Sequence, residues 1–357
     1  MKLPPLVIGE LKAEVPIIQG GMGVGISRSN LAAAVANAGG IGTISGVQIG
    51  FDEPDFETNT LNANIRALKK HIRKARELSP NGVIAVNLMV ALNHYDELVH
   101  AAVEEKIDII VSGAGLPTVL PKLVEGSNTK IAPIASSGKA ASVICKLWDK
   151  HHGRIPDLVV VEGPEAGGHL GFKPEELETE KKRELSDILV EVIKAVKPFE
   201  EKYGKKIPVV CGGGISNGVE IAKYIKLGAA GVQIATRFIA TEECDADIKY
   251  KMAIVNCTEE DIKIVKSPVG MPGRALNNAF IKSVHDGGVE IKKCYNCLKP
   301  CNPKSTPYCI SKALINAVKG DIDEALVFTG AKSYKINKIV KVSELMDELV
   351  NEAEKSL

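Results

Sequence analysis

Short apolar runs rich in β-branched residues recur along the chain and alternate with longer stretches of helical periodicity. Runs without polar alternation are typical of strands buried on both faces, as in parallel sheets. Such runs occupy residues 15–18, 41–44, 83–86, 107–111, 131–134, 158–161, 207–210 and 231–234. Eight strands alternating with helices predict an α/β fold, a closed (β/α)₈ TIM barrel. A doubly wound open sheet is the alternative, because periodicity does not distinguish a closed sheet from an open one.

The segment after Thr60 shows the helical period most clearly, with an apolar face (Leu61, Ile65, Leu68, Ile72, Ala75) and a basic face (Arg66, Lys69, Lys70, Arg73, Lys74, Arg76). A basic run of this kind is more typical of a solvated helix face than of a nucleic-acid site. Along the whole chain we predict a ligand-binding barrel over residues 1–240. An extension over 241–330 would cover the substrate side, and a C-terminal helical segment over 331–357 would pack on the barrel.

Composition and charge narrow the function classes. The 357 residues include 45 Lys and Arg against 44 Asp and Glu, so no global field attracts nucleic acid or an anionic membrane. No apolar run is long enough for a membrane span or a signal peptide, so we expect a cytoplasmic protein that acts on a small molecule. The sequence is also compatible with a homo-oligomer.

The active site of a barrel enzyme lies at the C-terminal ends of the strands, so the residues after each run matter most. Residues 19–25 (QGGMGVG) follow the first run, and their glycines let backbone approach a flat ligand closely. A triple glycine follows the seventh run and an Ala-Thr turn follows the eighth. Barrels often bind phosphate between these two loops, and we predict that its contacts are Gly213, Gly214, Ala235 and Thr236.

Residues 162–169 (EGPEAGGH) follow the sixth run and end in a histidine beside two carboxylates. An unperturbed imidazole has a pKa of about 6.5, which suits proton transfer near neutral pH. We therefore predict that His169 is catalytic. We expect no catalysis from the other histidines, at positions 71, 94, 100, 151, 152 and 285.

Residues 18–23 (IQGGMG), 31–42 (LAAAVANAGGIG), 162–169, 211–215 (CGGGI) and 231–238 (GVQIATRF) together resemble the nitronate monooxygenase family. That family was formerly called 2-nitropropane dioxygenases and includes the flavin-type enoyl-acyl carrier protein reductases. The resemblance implies a non-covalent FMN whose phosphate lies at the contacts predicted above. It further implies a wider set of cofactor-binding residues: Gln19, Gly20, Gly21, Met22, Asn87, Glu162, Gly167, Gly168 and Gln233.

The resemblance also implies roles on the substrate side. The histidine of the GGH motif, here His169, would remove the α-proton of a nitroalkane, or would orient or protonate substrate in the reductase branch. Residues 267–274 (SPVGMPGR) resemble a post-barrel segment that closes over the substrate, so Met271 and Arg274 are candidate substrate residues. Some relatives place a lysine near the flavin edge after the fifth strand. Lys139 falls within the next helix here, which leaves the stabilisation of reduced flavin unassigned.

Cys294, Cys297, Cys301 and Cys309 have the spacing CxxCxxxCx₇C. Four thiols within sixteen residues favour metal ligation, and zinc or a [4Fe–4S] cluster would each accept them. Metal-free cysteines in a packed loop are the alternative. An iron–sulfur cluster would let electrons reach the flavin and would favour a reductase.

Three functions follow. The first is an FMN-dependent oxidoreductase of the nitronate monooxygenase type, which oxidises nitronates or nitroalkanes with O₂. The alternative is an NAD(P)H-dependent FMN reductase of enoyl thioesters or other activated alkenes. A third, from another class, is a flavin-free barrel that binds a phosphorylated metabolite. An aldolase of that class needs a Schiff-base lysine on a strand, and the predicted strands carry none there.

Overall fold

The computed structural model describes residues 1–178, 182–287 and 289–357. Within these residues, the eight apolar runs form parallel strands that close into one barrel, in chain order around the ring. The barrel strands are β1 (Ile17–Gln19), β2 (Ile41–Ser45), β3 (Val83–Met89), β4 (Ile109–Gly113), β5 (Lys130–Ala135), β6 (Val159–Glu162), β7 (Val209–Gly212) and β8 (Gly231–Ile234). Because β8 pairs with β1, the predicted TIM barrel is confirmed and the open sheet is excluded.

Helices follow the barrel strands, and further helices lie in the chain after β8. Their bounds are Ser29–Asn37, Thr60–Leu78, Tyr95–Glu104, Leu120–Leu123, Gly138–His152, Pro174–Glu178, Leu185–Tyr203, Gly218–Lys226, Thr236–Ile239, Ile248–Val255, Ala279–His285, Ile310–Val318 and Val342–Ser356. None of the helices in the described part of the chain is long and apolar enough to cross a membrane.

The basic helix Thr60–Leu78 buries Leu68 and Ile72 as its apolar period predicts. Carboxylates of the neighbouring helix and loop pair with its basic face, for example Arg73 with Glu105 and Arg76 with Asp108, both at 2.6 Å. The basic run is thus largely neutralised within the fold, in keeping with a solvated helix face.

An N-terminal β-hairpin, which the sequence did not predict, closes the bottom of the barrel. Its strands are Leu6–Ile8 and Leu11–Ala13. Leu6, Ile8 and Ala13 are buried in one cluster with residues that start the barrel strands, such as Ile41 and Val83. Apolar burial seals this end, so the C-terminal face is where the barrel opens.

The chain beyond β8 folds back over the open end of the barrel. A three-stranded sheet made of Ile262–Lys266, Pro272–Leu276 and Gly168–His169 joins it to the loop after β6. In this sheet Gly273 pairs with His169. The loop that carries the predicted catalytic histidine is therefore fixed by residues about 100 positions later in the chain.

The last helix, Val342–Ser356, packs against Gly218–Lys226. The Gly218 N–H donates to Glu352 Oε2 at 2.9 Å. A Cβ at Gly218 would collide with the backbone of Ala353, so this close helix contact needs glycine. These contacts tie the C-terminal chain to the barrel, and the division at residues 240 and 330 stays a prediction.

Candidate active site

A cavity of about 240 Å³ opens at the C-terminal ends of the strands. All eight strands contribute to its wall through their last residues or the loops that follow them. Predicted site residues that line the cavity are Gly20, Gly21, Met22, Asn87, Glu162, Gly167, Gly168, His169, Gly213, Gly214, Gln233, Ala235, Thr236 and Met271. Parallel strands bring their carboxyl ends to one edge, and this is why positions so distant in sequence converge.

Gln19 and Arg274 lie behind the wall instead of facing the cavity. Gln19 is fully buried, and its Oε1 accepts a hydrogen bond from the Thr43 N–H at 2.9 Å, which links β1 to β2. Arg274 is also buried and donates to the carbonyl of Ala166 in the loop after β6. The prediction of direct ligand contact is not supported for these two side chains, which brace the loops that form the wall.

Glycines in the strand-end loops leave bare backbone along one side of the cavity. A Cβ at Gly21 would collide with the Cβ of Asn87, and one at Gly213 would lie 2.9 Å from the Gly163 carbonyl oxygen. Gly213 also has φ of +104°, which L side chains rarely adopt. Packing therefore requires glycine at these positions, and a flat ligand could rest directly on the main chain.

His169 lines the cavity between Ser267 and Phe328. Its Nε2 is 2.8 Å from the Ser267 Oγ, and its ring meets the edge of Phe328 with 5.0 Å between centroids. Burial lowers the pKa of His169 to about 4, so the imidazole is neutral at pH 7. Among the described residues that line the cavity, His169 is the only histidine.

Glu162 is the last residue of β6 and lines the same cavity. Burial raises the pKa of its carboxyl to about 8, so this group is mostly protonated at pH 7. A neutral carboxylic acid can donate a hydrogen bond as well as accept one. Glu162 thus offers a polar contact without placing a negative charge in the cavity.

Several residues of the wall come from the chain after the barrel, where sequence reasoning assigned only Met271 and Arg274. They include Ser267 as the partner of His169, and Tyr250, Leu314, Phe328, Thr329 and Lys332 as parts of the wall. Lys332 Nζ donates to the Gly214 carbonyl at 2.8 Å and pairs with Glu220 at 2.7 Å. Ser267 lies within the SPVGMPGR segment, which was the only sequence signal for any of them.

Lys139 is exposed on the first turn of helix Gly138–His152 and does not line the cavity. This agrees with the expectation that it lies within the helix. The fold and the cavity define a barrel enzyme whose glycine-lined wall and β7–β8 loops suit a flat, phosphorylated ligand.

A model of the nitronate monooxygenase family matches residues 5–352 of this chain. A probable nitronate monooxygenase of Staphylococcus saprophyticus is 30% identical over 313 residues, which cover 82% of this chain and 83% of the relative. FabK from Thermotoga maritima has a similar structure, with a TM-score of 0.74, 26% identity and coverage of 96% of this chain and 94% of FabK. Nitroalkane oxidase from Streptomyces ansochromogenes shares the fold, with a TM-score of 0.72, 21% identity and coverage of 96% of both chains.

The chain belongs to the nitronate monooxygenase family, a family of FMN-dependent oxidoreductases. The resemblance read from the sequence motifs is confirmed. The residues present also fit FMN. Thr329 lines the cavity, and its buried Oγ1 has no hydrogen-bond partner among the described residues, as expected for a group that meets a polar ligand.

The four clustered cysteines line a second cavity, of about 80 Å³. All four are free thiols. Among residues 1–178, 182–287 and 289–357, no three His, Cys, Asp or Glu side chains are arranged to hold a single metal ion. The structure therefore brings the predicted ligands to one place without showing a compact one-ion site.

Proposed function

We propose that this protein is an FMN-dependent nitronate monooxygenase that oxidises nitronates, and nitroalkanes more slowly, with O₂. The observation that carries this proposal is the His169 imidazole in the cavity wall, held between the Ser267 hydroxyl and the Phe328 ring. When bound, FMN accepts electrons from the substrate and passes them to O₂. The protein supplies binding, orientation and control of the proton.

The cavity offers separate groups for the two ends of FMN. Gly213, Gly214, Ala235 and Thr236 would hold the phosphate, because the loops after β7 and β8 commonly do so in barrels. The glycine-rich loops after β1 and β6, together with Asn87, would lie against the ring system. Glu162, Gln233 and Thr329 would supply hydrogen bonds between these ends.

The substrate would lie near His169, whose ring meets the apolar Phe328, in a cavity that Met22 and Met271 also line. Such a wall suits the hydrocarbon part of a nitronate. A nitronate has already lost its α-proton, so the protein needs only to bind and orient it. A neutral nitroalkane must first give that proton to His169, whose lowered pKa makes it a weak base. We therefore expect nitronates to be the better substrates.

Ser267 would hold the His169 ring in position, since its Oγ is 2.8 Å from Nε2. A hydroxyl can donate to Nε2 or accept from it, so at this distance it holds the orientation of the ring in either tautomer. The other ring nitrogen would then be the one that meets the substrate. Ser267 thus acts through His169 as a positioning residue.

The similarity to FabK favours a second candidate function, reduction of an enoyl thioester with NAD(P)H as electron donor. In that reaction His169 would have to protonate or orient the acceptor. Burial lowers the pKa of His169 to about 4, so little of it is in the protonated, imidazolium form at pH 7. The match to the nitronate monooxygenase family over residues 5–352 ranks the reductase second.

Two assays on the FMN-loaded protein distinguish these functions. The first follows O₂ uptake with a preformed alkyl nitronate, and the second follows anaerobic NADH or NADPH oxidation with crotonyl thioester. We expect the first to exceed the second by at least about tenfold in kcat/KM, a difference of about 1.4 kcal/mol in transition-state stabilisation. The reverse ratio would establish the reductase, and protein that cannot bind FMN would restore the flavin-free barrel.

A further inference from the structure

The cavity between Cys294, Cys297, Cys301 and Cys309 is separate from the FMN cavity and has no part in the proposed reaction. All four side chains line it, together with apolar and ring-bearing residues such as Tyr295, Leu298 and Pro303. Cys294 is exposed and the other three are partly buried. Four thiols line one cavity and none is joined in a disulfide, so all four are available as ligands to a metal centre.

Loops of the barrel hold the cysteine-bearing segment in place. Asn93, in the loop after β3, donates from its backbone N–H to the Cys297 carbonyl at 3.1 Å and from its side chain to the Asn296 carbonyl at 2.8 Å. Tyr295 stacks on Phe56 with 5.6 Å between ring centroids. The segment between the first two cysteines is therefore positioned by contacts that are independent of any metal.

The backbone near the cysteines also supports ligation. Asn296 has φ of +47°, which turns the chain between Cys294 and Cys297, and its N–H points at the Cys294 sulfur at 3.4 Å. An N–H directed at a sulfur stabilises charge on a thiolate, as the groups behind metal ligands commonly do. Cys309 is the N-cap residue of helix Ile310–Val318, so its position is fixed by that helix.

The arrangement of the four thiols and the size of the cavity favour one of the two metal centres that accept four thiolates. Zinc binds sulfur at about 2.3 Å, so a tetrahedral zinc site places its sulfurs roughly 3.8 Å apart. The described residues contain no three side chains arranged for one ion, and the 80 Å³ space is several times the ~10–15 Å³ that one water needs. An iron–sulfur cluster, by contrast, separates its four cysteines because each sulfur binds a different iron.

We propose that Cys294, Cys297, Cys301 and Cys309 bind a [4Fe–4S] cluster beside the FMN cavity. Leu314, five residues after Cys309 on the same helix, lines the FMN cavity. Five residues of α-helix rise about 7.5 Å, so little more than one turn lies between the cluster ligand and the cavity wall. The protein would then carry two redox groups within one fold, and electrons that passed from the cluster to FMN would favour the reductase, the second candidate function above.

The test is anaerobic reconstitution of the FMN-loaded protein with Fe²⁺ and sulfide, followed by desalting and analysis of iron, acid-labile sulfide and FMN. We expect about four irons and four sulfides per chain, with added absorption near 400 nm that dithionite bleaches. Cys297→Ser and Cys301→Ser should lower iron and sulfide at least about fivefold while FMN content stays unchanged. Cys244→Ser is the matched control, since Cys244 is a buried cysteine outside the cluster whose sulfur contacts the Ile26 carbonyl.

Each alternative outcome has a clear meaning. One equivalent of zinc without sulfide, lost in the same cysteine variants, would overturn the cluster in favour of a single-ion site. Iron that binds equally to wild type and to the cysteine variants would be adventitious and would also overturn the proposal. If Cys297→Ser fails to fold, Cys294→Ser at the exposed position gives the same test without a core substitution.

Discussion

Two walls enclose the FMN cavity, and they are built in different ways. The barrel wall consists of strand-end loops in which glycines such as Gly21 and Gly213 expose backbone. The post-barrel wall consists of side chains, among them Met271, Phe328 and Thr329. His169 stands where the walls meet, because its loop pairs with the post-barrel strand Pro272–Leu276. From this comparison we propose that the barrel wall makes most of the contacts with FMN and that the post-barrel wall positions His169 for its substrate.

Removing His169 should have the largest effect and should separate the two substrates. In His169→Ala we expect kcat/KM for a neutral nitroalkane to fall by about 10²–10⁴, the usual contribution of a general base, with nitronate turnover within about threefold of wild type. In the wild type, protonation of His169 should not reduce nitroalkane turnover as the pH falls from 8 to 5.5. The reason is that burial lowers the pKa of His169 to about 4, so the imidazole stays neutral over this range. Steady-state O₂ uptake with each substrate measures both. Equal losses on the two substrates would contradict the role as base.

A side chain added to the barrel wall should weaken the cofactor itself. A Cβ at Gly21 meets Asn87, so Gly21→Ala forces a shift that commonly costs about 1–3 kcal/mol. We expect the FMN dissociation constant to rise by about tenfold to 100-fold, measured by fluorescence titration. Gly153→Ala is the control, because it strains a glycine with φ of +57° outside the cavity and so reports the effect of strain alone. An unchanged affinity in Gly21→Ala would show that this loop does not contact FMN.

Ser267 tests the contribution of the post-barrel wall to His169. Ser267→Ala removes the hydroxyl 2.8 Å from Nε2, so the ring loses its orientation. We expect about a tenfold loss in nitroalkane kcat/KM with FMN affinity unchanged, and recovery in Ser267→Thr, which restores a hydroxyl. Steady-state kinetics with both substrates is the measurement. A loss shared by nitronate would point to a general packing effect instead of positioning of the base.

Thr329 tests whether the post-barrel wall also touches the cofactor. Its Oγ1 is buried in the cavity wall, so Thr329→Val should remove one hydrogen bond to FMN and raise the dissociation constant about two- to tenfold. Thr43→Val is a matched control, since the Thr43 Oγ1 also lacks a partner among the described residues but Thr43 does not line the cavity. Fluorescence titration measures the FMN dissociation constant of both variants. Equal dissociation constants would show that the Thr329 hydroxyl does not bond FMN.

The smallest effect expected concerns stability and pH. Burial raises the pKa of Glu162 from 4.5 to about 8, so the folded state keeps a proton that the unfolded chain releases in this range. Stability of the FMN-free protein should therefore fall as the pH rises from 4.5 to 8. The side chain of Glu162→Gln cannot ionise. The Tm of this variant relative to wild type should therefore be a few degrees higher at pH 8 than it is at pH 5. A constant difference between the two proteins across this range would mean that Glu162 is not held neutral.

Much of the barrel wall could be predicted because local sequence specifies it. The runs at 41–44 and 231–234 are apolar on both faces, which predicts buried strands. The glycines that follow β1 and β7 predict loops whose backbone can approach a ligand closely. Strand ends extended further than the apolar runs, as β3 does to Met89, because pairing continues into the loops. The direct roles given to Gln19 and Arg274 were not supported, since sequence does not show which way a side chain faces.

By itself the sequence determined the alternation of strands and helices, the family, the glycine-rich loops and the position of His169, since each depends on a periodic or contiguous pattern. The closure of the sheet into a barrel was decided by the pairing of β8 with β1. Only the tertiary structure decided that Ser267 and Phe328 contact that histidine and that Thr329 and Lys332 complete the cavity. It alone also placed the N-terminal hairpin under the barrel and grouped the four cysteines around one space. Ser267 and His169, for example, lie 98 positions apart in the sequence. Such pairs form because burial and hydrogen bonding are satisfied only in the folded chain, and no local pattern encodes them.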